Sequence, residues 1–172
     1  KVAGEKMALD FHEKHGVDVR IIRFPGIISY TTEPTGGTTD YAVHIFYDAL
    51  EKGTFVHNIK NGTEMPMQYI PDALDSIFLL MGADPEQLSR RVYNVAGMSF
   101  APEDITAAIQ EIIPGFTVTT KVDPMKQAIA ESWPDSLSNG LAFRDFRYKP
   151  KHGLESMTED MISRLRVKLG IR

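Results

Sequence analysis

Residues 1–29 read KVAGEKMALDFHEKHGVDVRIIRFPGIIS, and this stretch decides the fold class. Met7, Ala8 and Phe11 recur at helical spacing and Gly16 supplies a C-terminal stop, so residues 1–15 are expected to form a helix. VDVRIIR (residues 17–23) is rich in β-branched side chains and reads as a buried strand, closed by Phe24-Pro25-Gly26. A helix leading into a buried strand is half of an α/β unit. Phe24-Pro25-Gly26 can be plain turn chemistry. It also stands where α/β proteins commonly hold ligands, at the carboxyl end of a strand.

Outward from this stretch, residues 27–38 read as a long loop with Pro34 and the pair Gly36-Gly37, a length usually found in functional or mobile segments. A helix over 39–52 follows, capped by Thr38 or Thr39 and ended by Gly53. Residues 54–59 and 65–70 flank Asn61-Gly62 and suggest a strand pair or an irregular turn. Pro71 opens a helix to residue 81, and residues 92–95 form a short strand ending at Ala96-Gly97. The spacing then predicts a helix over 102–113, a strand over 116–122 and a helix after Asp123-Pro124 to residue 131. An irregular stretch over 132–153 and a last helix over 154–169 complete the chain. The reading is mixed α/β, one unit without repeats or linker.

The 172 residues are 42% hydrophobic, 24% charged and 9% aromatic, which excludes disordered and collagen-like classes. Net charge is −4 from 19 basic and 23 acidic residues, with the basic ones scattered; this argues against nucleic acid and anionic membrane as partners. No apolar run approaches the ~20 residues that span a bilayer. The absence of cysteine removes thiol nucleophiles and sulfur metal sites, and fits a reducing compartment. The chain opens on Lys1 in place of methionine and reads as part of a longer protein.

Generic catalytic signatures are missing: there is no Gly-x-Gly-x-x-Gly loop between strand and helix, no Walker A loop and no Gly-x-Ser-x-Gly elbow. His12 and His15 lie three apart on a helix, a spacing that misses the zinc-protease pattern and reads as a polar face, so no metal is expected. His44, His57 and His152 stand alone and read as packing or surface residues. GGTTDYA (residues 36–42) says more. Free amides at a helix start, beside two hydroxyls, can hold a carboxylate or phosphate; the plainer alternative is a capped helix with Asp40 in its first turn.

Taken together, these pieces resemble the second half of an extended short-chain dehydrogenase/reductase, the superfamily of nucleotide-sugar epimerases and dehydratases. That superfamily carries Tyr-x-x-x-Lys on a helix followed by a VxxRxxxxxG strand, and residues 1–29 look like this segment from its lysine onward. No Tyr-x-x-x-Lys occurs within the 172 residues. RFPGIIS (23–29), GGTTDYAVHIFYDAL (36–50), MPMQYIPDAL (65–74), YNVAGMSFAPEDI (93–105), IAESWP (129–134) and LESMTEDM (154–161) resemble the NAD-dependent L-threonine 3-dehydrogenase branch. One departure stands out: Ala142-Phe143-Arg144-Asp145-Phe146-Arg147 replaces the branch's usual Ala-Arg-x-Asp-Trp-Gly.

The resemblance implies the C-terminal part of a Rossmann-type α/β fold, lacking the glycine-rich N-terminal half and carrying the smaller substrate-binding lobe. The last Rossmann elements (about 1–30 and 90–97) would be interleaved with that lobe. It implies NAD as cofactor and oxidation of L-threonine to 2-amino-3-oxobutanoate in the parent protein. Lys1 would be the catalytic and ribose-holding lysine; Phe24, Pro25, Gly26 and Ile27 would border the nicotinamide. Gly37, Thr38 and Thr39 would face the amino acid, and Trp133 would close the pocket or simply pack. Without the tyrosine and the glycine loop, the chain alone is expected to be inactive and to bind NAD weakly. It is also expected to leave strand edges open, and so to form a homodimer or pair with a missing N-terminal half. Met7, Phe11 and the helix over 39–52 are candidates for that surface. The location implied is the cytoplasm, or a mitochondrion in a eukaryote. A nucleotide-sugar epimerase shares the fold and Lys1, and a non-catalytic assembly module is a third reading.

Overall fold

Gly16 stops the first helix as the sequence requires: α1 (Val2–His15) ends on Gly16 at φ 67°, its N–H bonded to the His12 carbonyl. The structure, a computed structural model, describes residues 1–171. After α1 comes β1 (Ile21–Arg23), shorter than the expected 17–23. A strand persists only as far as its ladder has a partner, and β5 (Val92–Asn94) runs beside it from Ile21↔Val92 to Arg23↔Asn94. Residues before Ile21 are held through side chains: Asp18 pairs with Arg20 and with Arg91, and Val17 is exposed. With one neighbour only, β1 is half-buried where a buried strand was expected. The two expected orphan strands therefore pair with each other, and each keeps one open edge among the described residues.

The loop expected from Ile27 begins later, because Gly26–Ile28 is a strand, β2. It pairs in parallel with β4 (Met65–Tyr69), which pairs antiparallel with β6 (Met98–Phe100), a strand the sequence reading missed. The segments around Asn61-Gly62 do not pair with each other. β3 (Thr54–His57) joins β7 (Thr117–Thr120) in a separate parallel ladder, and Gly62 turns at φ 73° with its N–H on the Glu103 carboxylate. That leaves the irregular turn as the correct alternative.

A short 3₁₀ turn (Thr38–Asp40) leads into α2 (Tyr41–Glu51), whose Ala42, Ile45 and Phe46 are fully buried. Burying a side chain like Phe46 contributes about 2–3 kcal/mol. Helix α2 packs between β3, α4 (Pro102–Ile112) and α7 (Leu154–Leu169), against Met157, Met161 and Leu165. It is therefore core and not available as an association surface, which corrects that expectation. A second apolar cluster joins α3 (Ile70–Gly82) to the β1–β5 ladder through Leu80, Ile22, Tyr93 and Val95. Phe146 of α6 (Gly140–Phe146) completes it, a helix lying within the stretch expected to be irregular. Helix α5 (Pro124–Glu131) starts as expected, its Asp123 carboxylate accepting from the N–H groups of Met125 and Lys126. Among the described residues, no helix is long and apolar enough to cross a membrane.

Candidate active site

Parallel pairing brings the carboxyl ends of β1 and β5 side by side, and there both strands leave their sheet. Phe24-Pro25 carries β1 into β2, and residues 95–97 carry β5 into β6. The two crossings are tied together: the Val95 N–H donates to the Arg23 carbonyl at 3.2 Å and the Gly97 N–H to the Met67 carbonyl at 2.8 Å. A Cβ at Gly97 would sit 3.3 Å from both that carbonyl oxygen and the Gln68 Cα, so the crossing has little room for a side chain. This is the end of an α/β sheet where ligands are usually held.

A cleft of about 690 Å³ opens beside the crossing, between α1 and β1. Lys1, Gly4, Glu5 and Ala8 form one wall, and Phe24, Pro25 and Ile27 lie across from them. Lys1 is exposed at the N-cap of α1; Phe24 and Ile27 are also exposed, while Pro25 is buried. Arg23 donates Nε to the Glu5 carboxylate at 2.8 Å, and its Nη2 donates to the other Glu5 oxygen. This bond and the charge behind it hold the Glu5 carboxyl below its ordinary range. The pair spans the cleft from α1 to β1, and among the described residues Lys1 has no carboxylate partner.

Gly26 lies under this surface, buried. A Cβ there would fall 2.5 Å from the Met67 Sδ and 3.0 Å from the Thr39 Cγ2, so Thr39 sits directly on the Gly26 backbone. A second depression of about 410 Å³ on the far side of Phe24 and Pro25 is bordered by Asn94, Pro66 and Trp133. A third, of about 300 Å³, runs from Ile27 past Ser29 and Thr31 to Asp40. The structure thus gathers Lys1, Phe24, Pro25 and Ile27 in one cleft, with Trp133 next to it and Thr39 beneath it. Gly37 and Thr38 stand apart from these walls, at the start of the 3₁₀ turn.

Some of the amides expected to be free for an anion, those just before the helix start, are occupied. The Asp40 carboxylate accepts from the N–H groups of Thr35 at 2.7 Å, Gly36 at 2.8 Å and Gly37 at 2.9 Å. Neither Thr38 nor Thr39 caps α2 through its hydroxyl, and the Asp40 carboxylate reaches back to the start of the 3₁₀ turn, not forward into α2. Burial pushes the Asp40 carboxyl up, but these three bonds outweigh it and the net direction is down. An intramolecular carboxylate has taken the place an external one would fill. Sequence reasoning put Asp40 in the first turn without giving it this task. The signal was present, an acid three residues after a flexible glycine. Asn94, quoted only as part of YNVAGMSFAPEDI, was given no place at the site, and it reaches the second depression because β5 ends there.

An apolar wall with the Lys1 ammonium at its rim suits a flat aromatic ring that carries hydroxyl groups nearby. Among the described residues no three His, Asp or Glu cluster as a cation site. The His12 Nδ1–H donates instead to the Val17 carbonyl at 2.7 Å, and the His15 ring stacks near Phe11.

No family model matches the chain. A curated relative from Staphylococcus haemolyticus, described as an uncharacterized epimerase/dehydratase, is 46% identical over 169 residues, covering 98% of this chain and 53% of the relative. The chain therefore spans about half the length of the curated relatives it matches. Among solved structures, an L-threonine dehydrogenase from Clostridium difficile superposes with a TM-score of 0.95 at 46% identity, over 99% of this chain and 54% of that one. The L-threonine dehydrogenase of Phytophthora infestans gives 0.95 at 42% identity, over 98% and 54%. An NAD-dependent NDP-hexosamine 5,6-dehydratase shares the fold alone, at 17% identity and a TM-score of 0.68. Sequence and fold together identify the chain as the C-terminal part of an epimerase/dehydratase-type short-chain dehydrogenase/reductase.

Proposed function

We propose that the chain is the substrate-side portion of an NAD-dependent L-threonine 3-dehydrogenase, the enzyme that oxidises L-threonine to 2-amino-3-oxobutanoate. One observation carries the reading: Lys1 shares a cleft with Phe24, Pro25 and Ile27 at the sheet's carboxyl end, in a chain 46% identical to an L-threonine dehydrogenase. NAD, when bound, accepts the hydride from the substrate's C3.

The chain's own residues support that chemistry as follows. Phe24, Pro25 and Ile27 form an apolar wall against which a nicotinamide ring can lie, and buried Gly26 keeps that wall close to β4. The Lys1 ammonium can donate to a ribose hydroxyl. It also favours the ionised form of a phenol placed one helical turn before it, because an opposite charge within about 4–6 Å lowers an acid's pKa. A tyrosine needs that help, since its ordinary pKa is near 10. Thr39 is seated on Gly26, and with Thr38 and Gly37 it is assigned to the amino acid. Trp133, across the second depression from Phe24, is assigned to closing the pocket over substrate. In this reading residues 1–30 and 90–97 belong to the nucleotide-binding sheet and the remainder to the substrate lobe.

The test is to express the coding sequence together with the codons immediately upstream of Lys1, and to follow NADH formation. L-Threonine should drive it, and Lys1→Met should lower kcat/KM by about a hundredfold or more, the usual worth of a general acid–base group. Turnover of nucleotide sugars with no response to threonine would move the chain to the epimerase reading.

A further inference from the structure

Ala96 stands buried in the crossing from β5 to β6, and among the described residues its peptide groups have no backbone partner. Its two neighbours are bonded through the main chain, Val95 to Arg23 and Gly97 to Met67. A buried peptide left unpaired is costly, so its partners must come from side chains. Asn139 supplies both. Its Oδ1 accepts from the Ala96 N–H at 2.8 Å, and its Nδ2 donates to the Ala96 carbonyl at 2.8 Å. A side-chain amide carries a donor and an acceptor on one planar group, as a peptide does, so Asn139 serves Ala96 as a strand neighbour would. The Tyr148 hydroxyl donates to the same carbonyl at 3.2 Å and accepts from the Gln68 amide. Asn139 forgoes a local bond to do this. It stands at the N-cap of α6, where asparagine commonly bonds the helix's own amides, and makes no such bond.

The segment that Asn139 ends is the one that carries Trp133. It connects α5 to α6, and its Trp133, Pro134 and Leu137 form one side of the depression beside Phe24 and Pro25. Upstream the segment is fixed through α5. The Trp133 N–H donates to the Ala130 carbonyl, and the buried Gln127 amide bonds the Lys60 N–H and the Thr63 hydroxyl. From Pro134 to Ser138, no hydrogen bond among the described residues reaches a strand; the Ser138 hydroxyl accepts only from its neighbour Gly140. The two bonds from Asn139 to Ala96 are therefore the downstream anchor of this wall.

We propose that Asn139 is a positioning residue for the substrate pocket: by pinning Ala96, it fixes where the Trp133–Leu137 wall stands relative to Phe24 and Pro25. The inference rests on the reading of Trp133 as the side chain that closes over substrate. Closure needs a fixed starting place, since a displacement of about 1 Å is enough to impair a reacting geometry. Loss of the Asn139 amide releases the wall and leaves Lys1, Phe24 and Trp133 themselves unaltered.

Trp133 is the chain's one tryptophan, so its fluorescence reads the wall directly. In the 172-residue chain, Asn139→Ala should shift Trp133 emission to the red and raise its acrylamide quenching toward that of the urea-unfolded chain. Circular dichroism checks that the variant is folded. Should Asn139→Ala not fold, Asn139→Asp, which keeps the acceptor and loses the donor, is read in its stead. Tyr148→Phe is the control: it removes another bond from the Ala96 carbonyl and lowers the melting temperature, yet leaves Trp133 quenching unchanged. In the longer protein with the codons upstream of Lys1, Asn139→Ala should raise KM for L-threonine by roughly five- to tenfold, the range one lost hydrogen bond covers, with kcat changed less. Unchanged quenching in a folded Asn139 variant, an equal rise in Tyr148→Phe, or an unmoved KM in a protein that oxidises threonine would overturn the proposal. A longer protein that ignores threonine while Trp133 responds as stated would sink the dehydrogenase reading and leave the anchoring of the wall standing.

Discussion

Arg147 occupies a backbone state that suits glycine: it ends α6 in the left-handed region, at φ 60° and ψ 21°. The related branch usually has glycine there, so this chain keeps the turn and takes on the strain. Left-handed backbone costs a residue with a Cβ about 1 kcal/mol relative to glycine. Arg147→Gly is accordingly expected to raise the melting temperature by a few degrees in differential scanning calorimetry. The neighbouring Asp145 is buried and accepts from Arg144, Ser89 and Tyr93; the Arg144 bond chiefly holds its carboxyl far below the ordinary range. His57 is buried too. Its Nε2–H donates to the Thr106 hydroxyl at 2.9 Å, because that hydroxyl itself donates to the Pro102 carbonyl. Its Nδ1 has no partner, and burial pushes its pKa down to about 4. Both groups bind fewer protons folded than unfolded, so both lose stability as pH falls. For His57 the loss begins below its ordinary value of 6.5 and runs to about 4. For Asp145 it begins below about 4, the ordinary range of an aspartate. Urea midpoints measured against pH should fall in two stages, with His57→Gln flattening the upper stage and Asp145→Asn the lower.

Among the elements, β2 is held by the closest contacts. Gly26→Ala would drive a Cβ into Met67 and Thr39, both of which are packed where that Cβ would stand. A cost of about 1–3 kcal/mol is expected, the usual size for overpacking a core, and denaturant unfolding reads it. Helix α1 is at the other extreme. It has no buried residue, exposes Met7 and Phe11, and is tied to β1 mainly by the Glu5–Arg23 pair. An element with so little buried surface opens at low free-energy cost. Its amides over Val2–His15 should exchange with deuterium far sooner than those of α2, most of whose side chains are buried. Equal protection of the two helices would show that α1 is covered in solution, by a second copy or by another polypeptide.

At the scale of the molecule, the chain holds the wall of a cleft without a glycine-rich phosphate loop or a Tyr-x-x-x-Lys. Titration calorimetry is therefore expected to show no NAD binding at micromolar concentration by these 172 residues alone, and assays with L-threonine no NADH. The helices that begin with proline or aspartate or end with glycine were readable from local chemistry, as α1, α3, α4 and α5 show. So was the family, because several long motifs recur in order. The reach of β1, the existence of β2 and β6, and the sheet to which β3 belongs were not readable. Strands this short have no local signature and exist only where a distant ladder partner runs beside them. The site divides in the same way. Lys1, Phe24, Pro25 and Ile27 were named through the resemblance of one consecutive stretch, and they line one cleft. Whether the amides of residues 35–37 were open or taken, and whether Trp133 and Asn94 stood near Phe24, depended on contacts between segments far apart in sequence. Local sequence sets propensity and capping; only packing decides which donors and apolar surfaces remain free.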